Sequence, residues 1–118
     1  MKQLFIVRHA QAEPALGRSD HERALTAVGF SDAAELGRNL SGRDDLTQCV
    51  IASDSRRTRE TAETLIDAAG LPLAAVFDRR IYEASIAALL AMIDEFPADK
   101  DRIMLIGHNP GCEDLVRS

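Results

Sequence analysis

Leu4-Phe5-Ile6-Val7 is a wholly apolar run that stops at Arg8-His9. With no polar alternation inside it, such a run predicts a short strand buried on both faces of a parallel sheet. The pattern returns outward along the chain, in Cys49-Val50-Ile51-Ala52 ahead of Ser53-Asp54, in Leu73 to Phe77, and in Ile103-Met104-Leu105-Ile106 ahead of Gly107-His108. Helical stretches lie between these runs. Thr26 is predicted to cap a helix with Phe30, Ala33, Leu36, Gly37 and Leu40 at spacings of three and four, stopped by Ser41-Gly42. Ser53 or Asp54 is expected to cap the next, Arg56 to about Ala69, which presents Ala62, Leu65, Ile66 and Ala69 and closes at Gly70 with Pro72 beyond. Ser85 caps a third helix with Ile86, Leu89, Leu90 and Ile93 inward and Phe96-Pro97 at its end, and Asn109-Pro110 opens a last one. Strands alternating with helices predict right-handed βαβ units in a three-layer α/β/α sandwich with a mostly parallel central sheet.

Composition narrows what such a domain can do. The chain has 118 residues, 46% of them hydrophobic and 28% charged, with a mean hydropathy of −0.12. That is a globular balance, enough for one core and too short for two, so residues 1–118 are expected to form a single domain. The net charge of −5 and pI near 5.1 disfavour non-specific attraction to nucleic acid or an anionic membrane. Cys49 and Cys112 make no disulfide framework, and no signal peptide precedes the first strand, so a reducing cytoplasm is expected. Of the 14 basic residues all but Lys2 and Lys100 are Arg, whose planar fork suits phosphate and carboxylate.

Three of the four predicted strands release the chain into loops with unusual residues: Arg8-His9, Ser53 through Arg57, and His108. Ligands in open α/β sheets sit at the carboxyl ends of strands, so two of the three histidines and a pair of arginines are predicted to share one crevice. Imidazoles among guanidiniums suit an anion with several oxygens, of which phosphoryl is the commonest. Metal binding fits less well, because His9, His21 and His108 lack the spacing of a zinc site and neighbouring Arg charges oppose a cation. No Walker loop, dinucleotide fingerprint or C-x5-R phosphatase loop is present, which leaves histidine as the available nucleophile. A receiver domain would need clustered aspartates where Arg8-His9 stands.

Four blocks then carry a resemblance over nearly the whole chain: Phe5-Ile6-Val7-Arg8-His9-Ala10; Arg23-Ala24-Leu25-Thr26 with Gly29; Ser53-Asp54-Ser55-Arg56-Arg57 with Thr61; and Ile106-Gly107-His108-Asn109-Pro110-Gly111. Together they resemble the phosphoglycerate mutase-like histidine phosphatase superfamily, and within it the SixA-type phosphohistidine phosphatases. The resemblance implies that His9 attacks phosphorus and becomes phosphorylated, that Arg8 and Arg57 hold the phosphoryl oxygens, and that His108 completes the pocket, with no cofactor or metal. A neutral imidazole must attack, so a group such as a backbone carbonyl should hold the proton on its other nitrogen. The pattern departs from the superfamily at Ala10, where Gly is common, at Asp54 in place of Pro, and at Glu60 in place of Gln before Thr61.

Arg23 and Ser53 are further candidates for substrate contact. Glu83 is the one candidate general acid, although an imidazole leaving group can dispense with one. His21 is read as a solvated loop residue, Arg18 as surface, Tyr82 as a half-buried aromatic, and Cys112 as packing beneath the Asn109-Pro110-Gly111 turn. The implied partner is a histidine-phosphorylated protein or a small phosphorylated molecule. Two alternatives are a broad phosphomonoesterase or mutase and a non-catalytic phosphate-binding signalling module. SixA-like chains continue to at least one further strand, so the C-terminal strand region is expected to lie beyond residue 118.

Overall fold

The computed structural model describes residues 3–41, 49–82, 85–95 and 102–108. Four strands, β1 (Gln3–Arg8), β2 (Cys49–Ala52), β3 (Val76–Phe77) and β4 (Arg102–Gly107), form one sheet in the order β1-β4-β2-β3, every pair parallel. Helices α1 (Ala27–Leu40), α2 (Arg56–Ala69) and α3 (Ile86–Asp94) connect them.

The period-two alternation of β2 and β4 divides the core between two faces. Ile51, Ile103 and Leu105 pack with Leu89 and Met92 of α3, and Ile81, on one side. Val50, Ala52, Met104 and Ile106 pack with Ala62 and Leu65 of α2 on the other. Helix, sheet and helix are the three layers expected. β1 differs from its sequence reading: as an edge of the described sheet, it leaves Phe5, Ile6 and Val7 half-buried, and full burial falls to β4 in the centre. β3 is two residues long at the other edge, with Val76 61% exposed.

The helix boundaries follow their local chemistry. Thr26 Oγ1 accepts the Gly29 N–H at 2.9 Å, and Ser85 Oγ accepts the Ala88 N–H at 3.2 Å, the side-chain caps expected. Gly70 ends α2 at φ 69°, a left-handed position that costs glycine little. Ser55, rather than Ser53 or Asp54, is the N-cap of α2.

The buried face of α1 is Gly29, Ala33 and Gly37, while Phe30 and Leu36 are 39% and 36% exposed. Of the residues read from their spacing, Ala33 and Gly37 are inward and Phe30 and Leu36 flank them, because the contact is too close for a larger side chain. A Cβ on Gly37 would lie 2.6 Å from the Leu65 carbonyl oxygen of α2. In α3 the inward positions are Leu89 and Met92, and Leu90 is 45% exposed. The segment with Phe96-Pro97, the helix start at Asn109-Pro110, and Cys112 lie outside the described residues.

Candidate active site

Strand register brings the three loops together. Arg8 of β1 pairs with Gly107 of β4, and Ile106 pairs with Ala52 of β2. The ladder then runs one step further on each side, His9 N–H to Gly107 O at 3.0 Å and Ser53 N–H to Ile106 O at 3.1 Å. His9, His108 and Ser53 therefore stand abreast on neighbouring strands, where the sequence placed them. The rings of His9 and His108 have centroids 5.3 Å apart.

His9 Nδ1 lies 2.7 Å from the Ala10 carbonyl oxygen. A carbonyl only accepts, so Nδ1 carries the proton and Nε2 holds the lone pair. The Ala10 peptide is itself anchored, its N–H donating to Thr61 Oγ1 of α2 at 3.0 Å, while Thr61 Oγ1 donates to the Arg57 carbonyl at 2.7 Å. Burial lowers the basicity of His9, the Ala10 hydrogen bond opposes that, and the charges of Arg57, Arg8 and Arg23 lower it further. At neutral pH the imidazole is uncharged, the state that a nucleophile needs.

His108 is buried and engaged at both nitrogens. Arg57 Nη2 lies 3.2 Å from Nδ1, and a guanidinium only donates, so Nε2 carries the proton and donates to Ser53 Oγ at 2.8 Å. Burial foremost, then the Arg57 charge, pushes its pKa down to about 4. Ser53, a candidate for substrate contact, is fully buried behind the ring and orients it.

Arg57 is buried, whereas its neighbours Arg56 and Arg59 are exposed. Its Nη1 donates to the Asp20 main-chain oxygen at 2.7 Å and its Nη2 to Asp20 Oδ2 at 3.0 Å. Arg8 is exposed at the end of β1, and its charge reaches His9. Arg23 donates from Nε to Glu13 O at 2.7 Å and from Nη1 to Asp20 Oδ1 at 2.9 Å, which pins the loop before α1 and leaves its charge within range of His9. Glu83 lies outside the described residues.

Asp20 and Tyr82 were not singled out from sequence as site residues. Asp20 sits on a 3-10 turn, Asp20–Glu22, and also accepts from the Tyr82 hydroxyl. Tyr82 packs edge-on to His108 with centroids 5.3 Å apart and lies 5.8 Å from the Arg57 guanidinium carbon. The three-residue spacing of Asp20 to Arg23, the ion pair it allows, was the one available signal. The His21 side chain is 43% exposed, as its solvated reading implies, and it also pairs with Asp54 at 2.9 Å and stacks edge-on against Tyr82 at 5.1 Å. The two departures in the third block thus have work in the fold, Asp54 with His21 and Glu60 accepting the Leu25 N–H at 2.8 Å.

The assembled site is a neutral imidazole with one free lone pair, facing guanidiniums held at fixed angles. It can present a nucleophile to the phosphorus of an anion whose oxygens the guanidiniums bind. Among the described residues, no group of three or more His, Cys, Asp or Glu is placed to hold a metal ion, and no helix is long and apolar enough to cross a membrane.

The comparisons with known proteins agree with this geometry. The chain is 34% identical to an uncharacterized chloroplastic protein of Arabidopsis thaliana across 98% of its own length and 57% of that protein's. It spans about half the length of the curated relatives it matches. SixA of Agrobacterium tumefaciens superposes with a TM-score of 0.87 at 26% identity, covering 97% of this chain and 73% of that one. A protein histidine phosphatase SixA complexed with tungstate shares the fold at a TM-score of 0.85 and 24% identity, over 96% of this chain and 73% of that one. A family model matches residues 4–105, which carry the fold and three of the four sequence blocks, and with it the chain belongs to the histidine phosphatase superfamily, branch 1.

Proposed function

We propose that the protein is a phosphatase that hydrolyses phosphohistidine on a phosphorylated protein through a phospho-His9 intermediate, without a metal. The observation that carries this reading is the His9 tautomer: Nδ1–H is held by the Ala10 carbonyl, and Nε2 is left to attack beside Arg57.

In the first step Nε2 of His9 forms a bond to phosphorus as the bond from phosphorus to the substrate nitrogen breaks. A phosphohistidine protonated on its other ring nitrogen departs as neutral imidazole, so this step asks no acid of the protein. Arg57 and Arg8 supply positive charge to the phosphoryl oxygens as charge redistributes in a loose transition state. Water then attacks phosphorus, the bond to Nε2 breaks, and inorganic phosphate leaves with His9 restored. A cleft of about 260 Å3 lined by His21, Asp54, Arg79 and Tyr82 adjoins the pocket across Tyr82 and gives room for the leaving side chain.

The test is rapid-quench labelling with a 32P-phosphohistidine protein and with phosphoramidate. The expected result is a phosphoenzyme that is labile in acid and stable in base, absent from His9→Ala, together with release of phosphate by the wild type. Full hydrolysis by His9→Ala, or turnover of phosphoesters alone, would overturn the reading.

A further inference from the structure

Asp20 places a carboxylate inside a pocket built to bind anions. Its side chain is 43% exposed, yet both oxygens are engaged, Oδ1 by Arg23 and Oδ2 by Arg57 and Tyr82, and its main-chain oxygen takes a further bond from Arg57. These donors, Tyr82 first, hold the carboxyl well below the usual carboxylate range, so it is charged whenever the protein is folded near neutral pH.

The geometry of the Arg57 contact shows what this anion does. A guanidinium is planar and its donors are fixed in direction. Nη1 and Nη2, its outer edge, both go to the one residue Asp20, and the remaining Nη2 proton meets His108 Nδ1. Nε is buried and meets no acceptor among the described residues. Asp20 therefore fixes the plane of the Arg57 guanidinium, which is held at Nη1 and Nη2 together. Its single negative charge also offsets part of the positive charge of Arg8, Arg23 and Arg57, which would otherwise hold product phosphate.

We propose that Asp20 is a positioning and charge-balancing residue, which fixes the plane of the Arg57 guanidinium beside the phosphoryl group and speeds the release of phosphate. This rests on the phosphatase reading above for its kinetic part and on the anion site alone for its binding part. Removal of the charge in Asp20→Asn should have two effects of opposite sense. Turnover falls about 10-fold because the fork loses its fixed angle. Inorganic phosphate binds roughly 3–10-fold more tightly because one repulsive charge a few ångströms away is gone in a partly solvated site. Asp20→Glu keeps the charge but moves it one methylene outward, so its phosphate affinity should stay within about twofold of wild type while kcat falls.

The experiment measures kcat, KM and the inhibition constant for phosphate on phosphoramidate, with direct calorimetric titration of phosphate and tungstate into wild type, Asp20→Asn and Asp20→Glu. A purely structural role would weaken phosphate binding and raise KM in step with the loss of kcat, and that result overturns the proposal, as does an unchanged kcat in either variant. A wild type that hydrolyses nothing refutes the phosphatase reading instead, and the titrations then decide Asp20: tighter binding by Asp20→Asn supports it, equal or weaker binding refutes it. Should Asp20→Asn fail to fold, Asp20→Glu decides it: lower kcat with phosphate affinity within about twofold of wild type supports the proposal, and weaker phosphate binding or an unchanged kcat refutes it.

Discussion

Gly29→Ala tests whether α1 holds the loop after His9 in place. A Cβ at Gly29 would lie 2.2 Å from the Gln11 carbonyl oxygen and 3.1 Å from its carbon. The obstacle is backbone rather than a side chain that can swing aside, so the loop and the helix start must part by roughly 1 Å to reach ordinary contact. Overpacking of this kind costs about 1–3 kcal/mol, and the better helix propensity of alanine returns at most ~1 kcal/mol. The expected net loss is about 1–2 kcal/mol, a fall in Tm of roughly 4–8 °C for a chain of this size. The Gln11 carbonyl also accepts the Thr26 N–H at 3.0 Å and lies two residues from His9, so the same displacement moves the peptide that holds the imidazole. A misplacement of that size should lower kcat by about 10-fold or more. Gly37→Ala is the control: its Cβ would meet the Leu65 carbonyl at 2.6 Å and the Ala68 Cβ at 2.8 Å, in the same helix but away from the loop. Thermal unfolding by circular dichroism and steady-state hydrolysis of para-nitrophenyl phosphate read both. Gly37→Ala should lose stability and keep kcat, and Gly29→Ala should lose both. Equal kcat in the two variants, or a raised Tm in Gly29→Ala, would refute the reasoning.

Two further outcomes are expected. His108 has a folded pKa near 4, below the 6.5 of a free imidazole, so its contribution to stability is complete above pH 6.5 and is lost as pH falls from there toward 4. The loss is at most about 3 kcal/mol, and urea unfolding between pH 7.5 and 4.5 should show a steeper decline for wild type than for His108→Gln; parallel declines would count against a neutral buried imidazole. Thr61→Val strips the Ala10 N–H of its acceptor and should cost about 1–3 kcal/mol of stability with a marked drop in kcat, both restored in Thr61→Ser, which keeps the hydroxyl. A Thr61→Val protein with wild-type kcat would show that the Ala10 peptide needs no such anchor.

The residues bear out how differently two kinds of information are stored in the chain. Apolar runs bounded by Arg8-His9, Ser53 and His108 announce parallel strands and the residues at their ends, because burial on both faces admits no polar alternation and parallel strands deliver their loops to one edge. Caps at Thr26, Ser85 and Gly70 are similarly local, since each is satisfied within three or four residues. The buried face of α1 was legible only in part: Ala33 and Gly37 were read from their spacing, but Gly29 was not, because it is selected by the approach of Gln11, distant in sequence.

The sequence by itself placed Arg8-His9, Ser53 and His108 at the ends of strands and Arg57 on the helix that follows the second strand. The tertiary structure decided the state in which they meet. His9 is neutral with its lone pair on Nε2 because burial disfavours charge and a neighbouring carbonyl fixes the proton, and His108 is neutral because burial and then the Arg57 charge disfavour its protonation. Asp20, 37 residues from Arg57 and 62 from Tyr82, joins them only when the chain closes on itself. Protonation and charge balance depend on distances through space and on the exclusion of water, and neither exists until the fold has formed.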